Sequence, residues 1–345
     1  MNKLSYPYFH GVIKLSTLGL IAALASGHAS SNDEKSTADM QGSAENGFKS
    51  MALDPTKFVD GALVSEPIIV DCTMSDGTKT SCYQLEIAGV PAESKVGPFC
   101  PQSITSDATN SGIWLDGSGT VYQVDGEFIL GLPTIYGDSN WHLYDSATGK
   151  VNITNTQEAC EAAARPNVDV QYQNHCVECS LDYVGGGVSS TILIPVTPSR
   201  ADTVGRITNV GVSLNGVQLA APAPVDAILG AYTIAAFDDC GGHVNPNDGY
   251  HYHAATGCTE AFDTQSDGHA SLLGYALDGH GIYGMLDQEG NESEGLDECR
   301  GHSDETRGYH YHAAGAGENM FIGCFTGKTV AMTRGRGGSR RAPPE

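Results

Sequence analysis

The chain of 345 residues carries 41 acidic side chains against 18 Lys and Arg, and its net charge of -23 excludes a broad basic face for nucleic acid or anionic lipid. Hydrophobic residues make up 40 % and mean hydropathy is -0.20, which is enough apolar material for a core. The 43 glycines and 15 prolines argue for turns and short strands and against a helical bundle.

Residues 1–25 read as a signal peptide. Lys3 and Lys14 are basic, Leu15 to Ala25 is a short apolar run, and Ala23-Leu24-Ala25 fits a small-residue cleavage site. The run is too short to span a bilayer, which needs about 20 residues. No later stretch is long and apolar enough either, so no membrane span is expected. Export to a periplasmic or extracellular compartment follows. Residues 26–57 are rich in Ser, Asp, Glu, Ala and Gly without apolar periodicity and are expected to be a flexible leader.

Residues 58–199 read as a β-rich region. Strands are expected at 67–70, 82–87, 120–124 and 191–196, with Asp125-Gly126 as a turn after the third. One helix is expected at 156–164, capped by Thr156 or Asn155 and followed by Pro166. Beyond it, 207–219 reads as a hairpin around Asn215-Gly216, and 224–229 as a short helical turn. The predicted class is therefore mainly β, with antiparallel, sandwich-like sheets, many disulfides and few short helices. Residues 328–345, with Lys328, Arg334, Arg336, Arg340 and Arg341 among Gly, Ser and Pro, read as a disordered basic tail.

Ten cysteines, an even number, follow the signal segment and imply disulfides in an exported protein. Cys72 and Cys82 flank the turn Ser75–Thr78, so a bond across a hairpin is expected. Cys176 and Cys179 form a CxxC, which reads either as a redox pair or half a zinc site, or as two structural cysteines.

The most informative feature is an internal repeat within residues 200–327. The segment 238–255, DDCGGHVNPNDGYHYHAA, recurs without a gap at 297–314 as DECRGHSDETRGYHYHAA. The whole Tyr-His-Tyr-His-Ala-Ala block is identical, as are the Asp, Cys, Gly and His before it (Asp238/Asp297, Cys240/Cys299, Gly242/Gly301 and His243/His302). Each copy presents H-x7-H-x-H: His243, His251 and His253, then His302, His310 and His312. Tyr-His-Tyr-His favours strand. In a strand, residues i and i+2 share a face about 7 Å apart. Both histidines of a pair then face one way, and Tyr250, Tyr252, Tyr309 and Tyr311 face the other. With a third histidine returning from a Gly-containing loop, three imidazoles suit zinc or copper. Asp238, Asp239, Asp297 and Glu298 are candidates to accept the second ring N–H of these ligands. His269 and His280, between the copies, are candidates to line the same cleft, whereas His142 and His175 stand alone and read as structural. One shared site and two separate sites both fit.

The GYHYHAA blocks, with Leu273–Gly279 and Ile282-Tyr283-Gly284, resemble the YHYH-domain proteins. The resemblance implies an exported or surface protein and supplies no catalytic residues. His280-Gly281 stands where that family more commonly has an aromatic residue or proline after Asp-Gly.

Weaker patterns complete the reading. No G-x-S-x-G, HExxH or P-loop occurs. Asp287 to Glu298 resembles an acidic Ca2+ loop, but Glu292 stands at the position an EF-hand reserves for Gly. Three functions compete. The first is an exported metal-binding protein for copper or zinc, with or without metal-dependent chemistry. The second is an extracellular enzyme, such as a polysaccharide lyase or hydrolase, using His and Tyr on a glycan or small molecule. The third is a disulfide-stapled adhesion module. Oligomeric state is left open.

Overall fold

The computed structural model describes residues 51–164, 167–259 and 262–331. The expected signal peptide, most of the leader and most of the basic tail lie outside them. Among the described residues there are 17 strands and three α-helices, so the chain is mainly β.

Residues 51–57, within the segment expected to be leader, attach to the body of the protein. Leu53 is buried, and the Met51 N–H donates to Arg307 O. At the other end, the Lys328 N–H donates to Ser199 O and the Ala331 N–H to Thr73 O, so residues 328–331 attach to the body of the protein.

In the N-terminal half, Ile68–Thr73, Lys79–Ile87 and Ser190–Pro195 form an antiparallel sheet with Lys79–Ile87 in the middle. Cys72 and Cys82 bond across its hairpin, as expected. The expected turn at Asp125-Gly126 is instead the start of a helix, Gly126–Ile135. Asp125 Oδ1 accepts from the Phe128 N–H as a helix cap, and Pro133 near the far end hid the helical pattern. The helix Gln157–Ala163 is capped by Thr156, and the short helix Val225–Gly230 matches the expected turn.

The central sheet has eight strands. From edge to edge they are Gly242–Asn245, Gly249–Tyr252, Gln218–Ala220, Asn209–Ser213, Leu272–Ala276, Gly281–Tyr283, Gly308–His312 and Gly301–Asp304. Both GYHYH strands pair in parallel with a neighbour and antiparallel with the strand carrying the preceding histidine.

The two halves of this sheet are related by a pseudo-two-fold axis that matches 211–213 with 274–276. At its centre Val212 pairs with Tyr275, its own counterpart, while Gly211 pairs with Ala276 and Ser213 with Gly274. The Leu214 N–H donates to Leu273 O and the Leu277 N–H to Val210 O, both at 2.9 Å. Glycine is required at both Gly211 and Gly274. A Cβ there would lie 2.0 Å from Tyr275 O and 2.1 Å from Val212 O respectively. The duplicated unit is thus longer than the GYHYH block and includes the hairpin before it.

All ten cysteines are bonded. Cys176 joins Cys100, and Cys179 joins Cys160, so the CxxC is two structural cysteines rather than a redox or zinc pair. Cys240–Cys258 and Cys299–Cys324 staple the two copies separately. One hydrophobic core runs from Phe99 and Trp114 through Tyr250 and Tyr311 to Phe325. The expected boundary at 199/200 is therefore not a break in packing.

Candidate metal centres

Each GYHYH strand separates its side chains as the strand period requires. The tyrosines turn to the core. Tyr250 Oη donates to Asp238 Oδ2 at 2.7 Å and Tyr309 Oη to Asp297 Oδ2 at 2.8 Å. Asn215 Nδ2 donates to Tyr252 Oη at 2.9 Å, and Tyr311 Oη donates to Asp278 Oδ2 at 2.6 Å. Gly242 and Gly301 leave room for the first two contacts: a Cβ would lie 2.4 Å from Tyr250 Oη and 1.9 Å from Tyr309 Oη.

Asp238 and Asp297 also accept backbone N–H groups, from Gly242 and Cys240 in one copy and from Gly301 and Cys299 in the other. They shape the turn and do not orient the histidines, as had been expected of them. Burial pushes the Asp238 carboxyl up to about 6. Asp239 and Glu298 are exposed. Burial also raises all four tyrosine hydroxyls.

The histidines converge on the opposite face in two clusters. In the first, the Nε2 atoms of His243, His251 and His253 lie 3.0–3.3 Å apart. In the second, the Nε2 atoms of His302 and His310 lie 3.0 Å apart and those of His312 and His302 3.2 Å. His269 completes this cluster, with its Nε2 3.1 Å from that of His310. Nitrogens on a tetrahedral ion at 2.0–2.1 Å stand about 3.3 Å apart, so each cluster has nearly the required spacing.

Backbone carbonyls fix most of the other ring nitrogens. Nδ1 of His251 faces Gly249 O at 3.1 Å, and Nδ1 of His310 faces Gly308 O at 2.9 Å. Nδ1 of His253 faces Ala221 O at 2.7 Å, and Nδ1 of His312 faces Gly284 O, the counterpart of Ala221, at 2.8 Å. An Nδ1–H donated to a carbonyl leaves the Nε2 lone pair aimed at the centre, the tautomer a ligand needs. Burial keeps these rings neutral. His253 and His310 are pushed down to about 3 and His312 to about 4, and His243, His251 and His269 are also lowered.

His280 is buried but does not join a cluster. Its Nδ1 faces Tyr309 O at 3.1 Å, and its ring packs against Tyr309 and Tyr311. His175 Nδ1 faces Gln173 O, away from both clusters. In the acidic loop, Asp287 Oδ1 accepts backbone N–H groups from Glu289 and Asn291, and Glu292 pairs with Arg300 at 2.5 Å. Among the described residues, three or more ligand-type side chains converge only in the two histidine clusters.

Two things escaped the sequence reading. Ser293, whose Oγ lies 3.2 Å from His312 Nε2, carries no motif. The duplicated hairpin was visible only at a different offset. Gly211, Leu214 and Gly216 recur as Gly274, Leu277 and Gly279, a longer shift than the one that carries His251 to His310.

Fold and clusters together define a disulfide-stapled β protein with two histidine groups of metal-ligating geometry. Residues 191–293 match the model of the YHYH protein family. The match takes in the first histidine copy and the second hairpin and ends before the second GYHYH block. No curated protein and no solved structure matched the chain.

Proposed function

We propose that this is an exported protein that binds one copper or zinc ion in each of two histidine centres. The observation that carries the reading is the convergence of Nε2 atoms at 3.0–3.3 Å in both copies, with Nδ1 of the paired histidines held by backbone carbonyls. Imidazole-only donor sets suit these two metals. The first centre is His243, His251 and His253; the second is His269, His302, His310 and His312. Export is supported by the apolar N-terminal segment and the five disulfides. No helix among the described residues is long and apolar enough to cross a membrane.

The test is metal content of untagged protein. Wild type should hold one equivalent per centre. His251→Ala with His253→Ala should lose one, and His310→Ala with His312→Ala the other, with circular dichroism unchanged. Failure of wild type to retain zinc or copper through gel filtration overturns the reading.

A further inference from the structure

The two centres are not covered in the same way. In the second, Tyr283 packs on His269 and His310 with ring centroids 4.8 and 5.0 Å away. Arg307 stands over the Tyr283 ring and is itself paired with Asp267 and Asp304. The adjoining cavity, which includes His310, measures only 40 Å³. At the first centre, the shift that matches Gly211 with Gly274 places Ala220 where the second has Tyr283, and Arg206 where the second has His269. The Tyr283 ring and the fourth imidazole have no counterpart at these positions; the Phe237 ring packs instead on His243 and His253, with centroids 4.9 and 5.3 Å away. The space is a cavity of 510 Å³ lined by all three histidines of the first centre and by Ala220. Its size falls in the range of small-molecule sites, roughly 300–1,000 Å³.

We propose that the fourth position of the first centre is exchangeable and takes a small nitrogen-donor molecule, an azole or an amine that releases its ammonium proton to solvent on binding, held in this cavity. The inference rests on the metal reading above and adds the ligand. A centre with three protein ligands keeps a position for an outside donor, whereas a closed set of four does not. Phe99, Val177, Ala223, Ile228 and Ala236 make the wall largely apolar, which suits an apolar body.

Two acceptors on that wall select the head group. Asn209 Oδ1 is buried with no hydrogen-bond partner among the described residues. The Glu178 carboxylate accepts from the Cys100 N–H at 3.0 Å and retains further acceptor capacity. Burial raises Glu178, which marks a site poorly reached by water. A ligand that gives a lone pair to the metal and an N–H to Asn209 or Glu178 satisfies both ends. Amines and azoles do so; a carboxylate offers no donor and meets the acidic wall.

The experiment uses the full chain loaded with Co2+, whose visible d–d bands report coordination. Imidazole, butylamine and butyrate are titrated into wild type, into the His310→Ala/His312→Ala protein and into the His251→Ala/His253→Ala protein. Imidazole and butylamine should shift the bands of the first two, at least tenfold more tightly than butyrate, and leave the third unchanged. Ala220→Tyr should keep both cobalt ions and lose the response at the first centre. With cobalt bound stoichiometrically, no response, a response confined to the second centre, or tighter binding of butyrate overturns the proposal. Absence of cobalt uptake would instead overturn the metal reading on which it rests.

Discussion

The two histidine clusters share three histidines at matched positions and differ in what surrounds them. In both copies the strand period places two imidazoles on one face, and the antiparallel partner brings the third opposite the first, His243 against His251 and His302 against His310. Coverage comes from segments outside that motif. After the first hairpin, the chain forms the helix Val225–Gly230 and leaves the cavity. After the second, it forms the acidic loop that brings Ser293 Oγ to His312 and Glu294 O to His302. A histidine triad can thus be a property of the repeated strands, and access a property of what lies outside the repeat, the ring of Tyr283 and the loops that follow.

The largest effect that can break this comparison is metal-linked stability. At free zinc about 1,000 times the dissociation constant, each occupied centre should add about 4 kcal/mol. Thermal unfolding with and without zinc should lose half of that gain in either double histidine variant. A variant that keeps the whole gain removes its centre from the comparison.

Next comes the pseudo-symmetry itself. Gly211→Ala and Gly274→Ala should each destabilise the protein by about 3 kcal/mol, because each Cβ meets the backbone of the facing strand. Denaturant titrations giving very unequal losses would show that the two halves do not bear equally on the central pairing.

The third effect is of pH on the metal-free protein. The depressed histidines bind protons more weakly folded than unfolded, where the value is about 6.5. Between those values the unfolded state holds more protons, so stability must fall as pH drops below about 6.5 and stop falling only near the folded values of about 3 to 4. Each of His253, His310 and His312 should contribute a loss of about 1 kcal/mol between pH 7 and 5.5. Urea midpoints should fall accordingly, and His253→Ala should flatten the profile; an unchanged midpoint would mean that the folded rings take up protons over the same pH range as the unfolded ones.

The smallest effect sharpens the contrast between the tyrosine anchors. Tyr252→Phe strips Asn215 Nδ2 of its acceptor, while Tyr311→Phe strips the Thr326 N–H of its acceptor at 2.8 Å and also removes a donor from Asp278 Oδ2, which keeps the Gly327 N–H at 2.9 Å. The first should cost about 1 kcal/mol and the second about 1–2 kcal/mol. Equilibrium unfolding of the pair decides the order.

Much of the site was legible because strand geometry is local. His251 with His253 and His310 with His312 followed from the two-residue period, and the matched third histidine from the repeat. The disulfide Cys72–Cys82 was readable because its cysteines flank a turn. His269 was readable only as a candidate to line the cleft; that it joins the second cluster was not, since it reaches His310 from a distant part of the chain and no local pattern encodes that approach. Asp238 and Asp297 were assigned the wrong donors for the same reason: sequence shows an acid near a histidine but not that a tyrosine hydroxyl crosses a glycine to reach it first. The helix Gly126–Ile135 was lost because Asp-Gly signals both a turn and a capped start.

The pairing of Asn209–Ser213 with Leu272–Ala276 also bears on assembly. It has the form of an isologous interface, in which one edge meets a copy of itself. A chain with a single copy would present that edge, with its unpaired N–H and C=O groups, to any passing strand. Tandem fusion supplies the matching edge at a high effective concentration, so the contact no longer depends on how much protein is present. It also releases the halves from identity. In a homodimer every substitution is made twice, but here Ala220 and Tyr283 stand at corresponding positions in one molecule, so one half can stay accessible while the other is sealed.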